Sequence, residues 1–152
     1  MTYRIAGLDP EPFAPLFALD EDALAARRAR LDHGFPCRVS LEEAQVGERL
    51  LLVHHTHHAV DSPFRAGVAI FVREQAREAA LCRDRTLSVF EGRVLSLRGF
   101  TAEGMLAGCA LVQPGEADAA IRALLAGGHI LYIDAHNAAA GCFAARIERD
   151  EA

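Results

Sequence analysis

Short β-strand segments joined by turn residues are the feature that most limits what this chain can fold into. Residues 93–99 alternate as a strand, residues 101–104 form a turn signal, and residues 105–112 continue as a second strand. This pattern is typical of a β-hairpin, whose two strands run antiparallel. A further segment, Arg65–Val72, is almost wholly apolar and predicts a strand at the centre of a sheet. We therefore predict a mainly antiparallel sheet.

The other segments complete the predicted architecture. Strand patterns occur at Thr2–Leu8, Arg49–His55, His129–His136 and Cys142–Glu148. Helix patterns occur at Asp20–Leu31 and Glu116–Ala126, with shorter ones at Pro12–Leu19, Ser40–Glu43 and Glu74–Arg83. We predict the α+β class: one domain over residues 1–152, with a twisted, mainly antiparallel sheet of about six or seven strands and two or three helices.

Composition excludes several classes of function. The chain has 152 residues, a hydrophobic fraction of 51% and a net charge of −5, so it lacks the basic surface that attracts nucleic acid or anionic membranes. No apolar run is long enough to span a bilayer, and the N-terminal residues lack the core of a signal peptide. We therefore expect a cytoplasmic protein without nucleic-acid or membrane partners. The four cysteines form no CxxC pair, which favours reduced thiols.

The densest polar feature is the histidine cluster His54–His58, which holds four of the seven histidines. Strand alternation would place His55 and His57 on one face, where two imidazoles can share a divalent transition metal. A third ligand could come from His136 or Asp134 on a neighbouring strand. The alternative interpretation is a solvated polar strand end without a metal.

A second set of residues indicates nucleophilic catalysis. Cys37, His136 and Asn137 are the residue types of a thiol nucleophile, its base and an orienting amide. Adjacent strand residues point to opposite faces, so Asp134 is a better orienter of His136 than Asn137 is. We take Cys37 and His136 as the catalytic candidates. The alternative is that the cysteines are core residues and that Asn137 belongs to a turn.

Arginine supplies the third set, and all sixteen basic residues of the chain are arginines. Arg65 opens an apolar strand and Arg38 follows Pro36 and Cys37, settings in which a half-buried guanidinium can bind a carboxylate or phosphate. We take Arg38, Arg65 and Asn137 as ligand-binding candidates, with Ser62 from the turn before Arg65. The alternative for each arginine is a structural ion pair.

Three separated motifs also carry a family resemblance. Residues 34–41, residues 56–73 and residues 136–146 resemble, in this order, a bacterial family known as domain of unknown function number 1203. Proteins similar to this chain are about this long and stand as single domains. They typically have Tyr at the position of Phe64, and often a Ser-Gly-Pro run within positions 66–69. The resemblance implies no activity.

These observations combine into one hypothesis with alternatives. We predict that Cys37, Arg38, His57, Arg65, His136 and Asn137 converge on one pocket that binds a small anionic molecule. A metal-dependent enzyme using the histidine cluster and His136 is the first alternative. A structural or interaction protein that forms a homodimer is the second.

Overall fold

Two antiparallel β-sheets make up most of the structure. The computed structural model describes residues 1–18, 26–28 and 36–151. Its strands, in chain order, are β1 (Tyr3–Ala6), β2 (Ala26–Arg28), β3 (Arg49–His58), β4 (Ala66–Arg73), β5 (Leu81–Arg83), β6 (Leu95–Phe100), β7 (Leu106–Val112), β8 (Tyr132–Asn137) and β9 (Phe143–Arg149). One α-helix, α1 (Ala117–Ala126), and two 3-10 helices, Ala14–Ala18 and Ser88–Phe90, complete the described elements.

The larger sheet has six strands in the order β5-β1-β9-β8-β6-β7. The predicted hairpin is confirmed as β6 and β7, which pair antiparallel and in which Gly99 lies opposite Gly108. A Cβ at either glycine would lie 3.0 Å or less from the Ile130 side chain. The two glycines therefore let Ile130 pack directly on the sheet. Helix α1 covers the same core with Ile121 and Leu125, which are wholly buried.

The smaller sheet has three strands in the order β2-β3-β4. It covers a second apolar cluster that includes Phe13, Cys37, Val39 and Ile70. Strand β4 lies at the described edge of this sheet, so the prediction of a central strand from its apolar sequence is wrong. Its buried side chains, Ile70 and Val72, pack against Cys37 and Val39 in the second apolar cluster, and the backbone of Cys37 forms an isolated parallel bridge with Phe71.

The α+β prediction with two or three helices requires correction. The antiparallel sheets are confirmed, but the described residues form a mainly β structure with a single α-helix. Residues 74–83 are not helical, because Ala80 donates to the Val39 carbonyl and β5 pairs with β1. Residues 40–43 are not helical either, and Glu43 forms an isolated antiparallel bridge with Pro36. These backbone bonds to distant segments outweigh the local helix patterns.

The remaining predicted helix, Asp20–Leu31, falls mostly outside the described residues. Its described part, Ala26–Arg28, is strand β2 and not helix. Among the described residues, no helix combines the length and apolar character needed to cross a membrane.

Candidate functional site

A row of polar side chains crosses the face of the larger sheet where β6, β8 and β9 pair. Arg98 lies opposite Asp134, and Asp134 lies opposite Arg146. Because side chains alternate along a strand, Tyr132, Asp134 and His136 share one face of β8. The register therefore gathers cations, a carboxylate and an imidazole on a face that the C-terminal end of β3 covers.

Strand β3 brings two histidines to this face through an irregularity in its pairing. The register with β4 shifts between His55 and His58, which departs from simple alternation. The His57 ring stacks on Phe143 with centroids 4.8 Å apart and meets His136 edge-on at 4.9 Å. The His55 ring instead contacts Phe13, at 6.0 Å. The two predicted metal ligands thus contact different parts of the molecule.

A pocket of about 370 Å³ opens between these elements. We call it the histidine pocket; its lining includes His57, His58, Phe64, Arg65, Arg98 and His136. It brings together three of the predicted site residues, His57, Arg65 and His136.

Asp134 is the buried charge behind the histidine pocket. Its carboxylate is wholly buried and accepts two hydrogen bonds from Arg146, of 2.7 and 3.0 Å. Nδ1 of His57 lies 3.7 Å from Asp134 Oδ2 and has no hydrogen-bond partner within the part of the chain that the structure describes. Burial alone raises the pKa of Asp134, but His57 and Arg146 outweigh burial and hold this pKa below its ordinary value. Asp134 is therefore an ionised carboxylate that faces His57.

His136 enters the histidine pocket as a neutral imidazole. Burial, together with the positive charge of Arg98 and the nearby His57, lowers the pKa of His136 to about 4. Its Nδ1 donates to the Gly141 carbonyl at 2.9 Å. This bond fixes the tautomer and leaves Nε2 as the ring nitrogen that can accept a hydrogen bond from a ligand.

His58 has a structural role beside the pocket. Its Nδ1 donates to the Phe64 carbonyl and its Nε2 accepts from the Tyr132 hydroxyl, both at 2.8 Å. Burial raises the pKa of Tyr132, which keeps this hydroxyl a donor. Both ring nitrogens are used, so His58 ties the turn that carries Phe64 and Arg65 to β8.

Arg65 and Arg98 are the cations of the histidine pocket. Arg98 is half-buried, and its Nε has a long contact of 3.4 Å with Ser96 Oγ; Arg65 is exposed at the pocket entrance. Neither forms an ion pair with any carboxylate of the described residues. Arg146, by contrast, is occupied by Asp134.

A second pocket, of about 460 Å³, holds two other predicted site residues. We call it the Arg38 pocket; its lining includes Arg38, Phe71, Arg93, Val94, Asn137 and Cys142. The six residues that were predicted to converge therefore divide, with Arg38 and Asn137 in this pocket and His57, Arg65 and His136 in the other.

Cys37 and Ser62 line neither of these two pockets. Cys37 is buried in the second apolar cluster, and its Sγ accepts from the backbone N–H groups of Arg73 and Ser40. Ser62 Oγ donates to the Gly104 carbonyl at 2.9 Å and accepts from the Phe64 N–H. Ser62 thereby links the β3–β4 turn to the β6–β7 turn.

Sequence reasoning missed Arg98 and Arg146 as site residues. The available signal was a charged residue at alternate positions of an otherwise apolar strand, as in Leu95-Ser96-Leu97-Arg98. Within the described part of the chain, no three His, Cys, Asp or Glu side chains are placed to hold a metal ion.

Comparisons with known proteins identify a family. A family model described as "Protein of unknown function (DUF1203)" matches residues 34–149, the region that contributes β3 to β9 and both pockets. No curated protein and no solved structure matches the chain.

Proposed function

The chain belongs to the DUF1203 family of proteins of unknown function, and we propose that it binds a small phosphate-bearing molecule in the histidine pocket. The observation that carries this proposal is the pair Arg65 and Arg98, two guanidinium groups that line one pocket without an acidic partner among the described residues. Guanidinium groups bind phosphate through paired charge-assisted hydrogen bonds.

The charge balance of the pocket favours an anion. The pocket lining contains no acidic residue; Asp134 lies behind it against His57, and Arg146 neutralises Asp134 through two hydrogen bonds. The pocket therefore keeps the charges of Arg65 and Arg98, although the chain as a whole carries −5. Two cations near each other also disfavour a metal cation at His57 and His136. The metal site at His55 and His57 stays a prediction.

The imidazole of His136 favours some anions over others as ligands of the histidine pocket. Neutral His136 offers the lone pair of Nε2, so it favours an anion that also carries a hydroxyl proton. Inorganic phosphate near neutral pH has both oxyanion and hydroxyl groups, whereas sulfate has no such proton. We therefore expect hydrogen phosphate to bind more tightly than sulfate.

The experiment is calorimetric titration of the protein with inorganic phosphate at pH 7 and constant ionic strength. Arg98→Gln and Arg65→Gln should each weaken binding roughly 10- to 100-fold, the effect of losing a hydrogen bond to a charged group. Arg85→Gln removes the same charge from an exposed position outside the pocket and should leave the affinity unchanged. Equal phosphate affinity in the wild type and in Arg98→Gln would contradict the proposal.

A second candidate function is acid–base catalysis on the bound anion. It is favoured by His57, which lines the pocket and whose Nδ1 faces the ionised Asp134 at 3.7 Å. In such a pair the carboxylate orients the imidazole, whose other nitrogen exchanges a proton with the ligand. Turnover of 4-nitrophenyl phosphate that disappears in His57→Gln, while phosphate binding remains, would support catalysis. Binding without turnover in the wild type would leave binding as the function.

The homodimer also stays a prediction. Strand β7 is at the described edge of the larger sheet, and its Leu111 side chain is 70% exposed. A second copy pairing along β7 would cover this edge. Native mass spectrometry distinguishes a single chain from a pair of chains.

A further inference from the structure

The Arg38 pocket contains a buried positive charge that the described residues do not balance. Arg38 is only 4% exposed, and no carboxylate of the described residues forms an ion pair with it. Its Nε donates to the Phe143 carbonyl at 2.8 Å, and its Nη1 donates to the Pro36 carbonyl. Nη2 has no hydrogen-bond partner in the described part of the chain. Buried charges in proteins are normally paired, so this arrangement favours the binding of an anion.

Neighbouring charges do not supply the anion. Arg93 lines the same pocket, but it is bound to Glu43 and to the Val89 carbonyl. Burial lowers the pKa of Arg38, and its interaction with the thiol of Cys142 is the largest opposing influence. Cys142 and Arg38 line the same pocket.

The rest of the lining is apolar. Phe71, Val94 and the alanines of residues 138–140 surround the cavity, and Asn137 adds an amide with no partner among the described residues. The cavity of about 460 Å³ has apolar walls, one amide and one cation, Arg38, that no acid of the described residues balances, since Arg93 is paired with Glu43. Such a cavity matches an organic molecule with a single carboxylate at one end.

We propose that the Arg38 pocket is a binding site for an apolar monocarboxylate, whose carboxylate is bound by Arg38 and whose body lies against Phe71, Val94 and the 138–140 turn. This site is separate from the histidine pocket and does not depend on the function proposed for it. Cys142, half-exposed in the same cavity, is a thiol that reports its occupancy.

Alkylation of Cys142 tests this proposal without knowledge of the natural ligand. Iodoacetate carries a carboxylate and iodoacetamide does not, and in both reactions the thiolate sulfur forms a bond to the methylene carbon while iodide leaves. Arg38 should bind the carboxylate of iodoacetate beside the thiol. The ratio of iodoacetate to iodoacetamide rates at Cys142 should therefore exceed the ratio for N-acetylcysteine by about tenfold or more. The modified peptides are quantified by mass spectrometry.

Variants and buried thiols serve as controls. Arg38→Gln should return the ratio at Cys142 to that of N-acetylcysteine, whereas Arg65→Gln, which removes a cation from the other pocket, should leave it raised. Cys37 and Cys82 are buried and stay unmodified as long as a variant is folded. A wild-type ratio equal to that of N-acetylcysteine would overturn the proposal.

A measurement on the wild type covers the case in which Arg38→Gln does not fold. Octanoate should slow the alkylation of Cys142 by iodoacetamide, while 1-octanol, which has the same chain without the charge, should protect it far less. Equal protection by octanol and octanoate would show that the pocket does not recognise a carboxylate, and would also overturn the proposal.

Discussion

The two pockets of this protein differ in how their charges are balanced. In the histidine pocket, a buried carboxylate is matched by Arg146, and the remaining arginines, Arg65 and Arg98, are partly open to solvent. In the Arg38 pocket, Arg93 is paired with Glu43, and the guanidinium of Arg38 is buried against two backbone carbonyls and an apolar wall. The first arrangement suits a compact ligand of high charge, the second a ligand that is mostly apolar. The type of residue alone does not distinguish these two settings of arginine; burial and partners do.

The largest expected effect comes from removing Arg146, the residue that neutralises the buried carboxylate of Asp134 behind the histidine pocket. Arg146→Met leaves Asp134 buried without its ionic partner, which should lower the free energy of unfolding by about 3–5 kcal/mol. Urea denaturation measures this loss, and adding Asp134→Asn should recover part of it. Arg4→Met breaks a largely exposed ion pair and should cost no more than about 1 kcal/mol. If Arg146→Met lowers the free energy of unfolding no more than Arg4→Met does, Arg146 does not balance a buried charge.

The next effect is a dependence of stability on pH. His136 has an ordinary pKa of 6.5 in the unfolded chain and a pKa of about 4 in the folded protein, so the unfolded chain binds the proton first as the pH falls. The stability contributed by neutral His136 is complete above pH 6.5 and is lost as the pH drops toward 4, by on the order of 3 kcal/mol. His136→Asn keeps a donor for the Gly141 carbonyl and should flatten this decline. His129→Asn changes an exposed histidine and should leave the decline unchanged. If the free energy of unfolding of His136→Asn falls with pH as steeply as that of the wild type, the lowered pKa of His136 is not the cause.

Arg38→Met should have a smaller effect on stability than Arg146→Met. It removes two hydrogen bonds to carbonyls but leaves no carboxylate unpaired, so we expect a loss of about 1–2 kcal/mol. Urea denaturation of this variant measures the loss in the free energy of unfolding. A loss equal to that of Arg146→Met would mean that Arg38 balances an internal acid, and the distinction between the pockets would disappear.

The smallest expected effect concerns Ser62. Ser62→Ala removes the hydrogen bond to the Gly104 carbonyl and should lower the free energy of unfolding by about 1 kcal/mol. Phosphate affinity should stay within about twofold of the wild type, because Ser62 does not line the histidine pocket. Calorimetric titration separates the two roles, since a tenfold weaker affinity would show that Ser62 binds the ligand.

Local sequence was sufficient for the elements whose contacts are local. The β6–β7 hairpin follows from its alternation and its turn at residues 101–104, and α1 follows from apolar residues at helical spacing before Gly127 and Gly128. The helix pattern of residues 74–83 misled, because the backbone of Ala80 bonds to Val39 and Cys82 pairs with Ile5. When the secondary structure of a segment is set by pairing with a distant segment, its own residues do not reveal that partner.

The sequence by itself determined which residue types were available for a site: clustered histidines, arginines as the sole basic residues, and Asp134 two positions before His136. Only the tertiary structure decided which of them meet. The register of β6, β8 and β9 places Arg98 and Arg146 on either side of Asp134, and the irregular end of β3 directs His57 toward His136 while His55 contacts Phe13. Burial then decided their chemistry, because desolvation and neighbouring charges, which depend on packing between sheets, make His136 neutral. The same packing buries Arg38 with no ion-pair partner among the described residues.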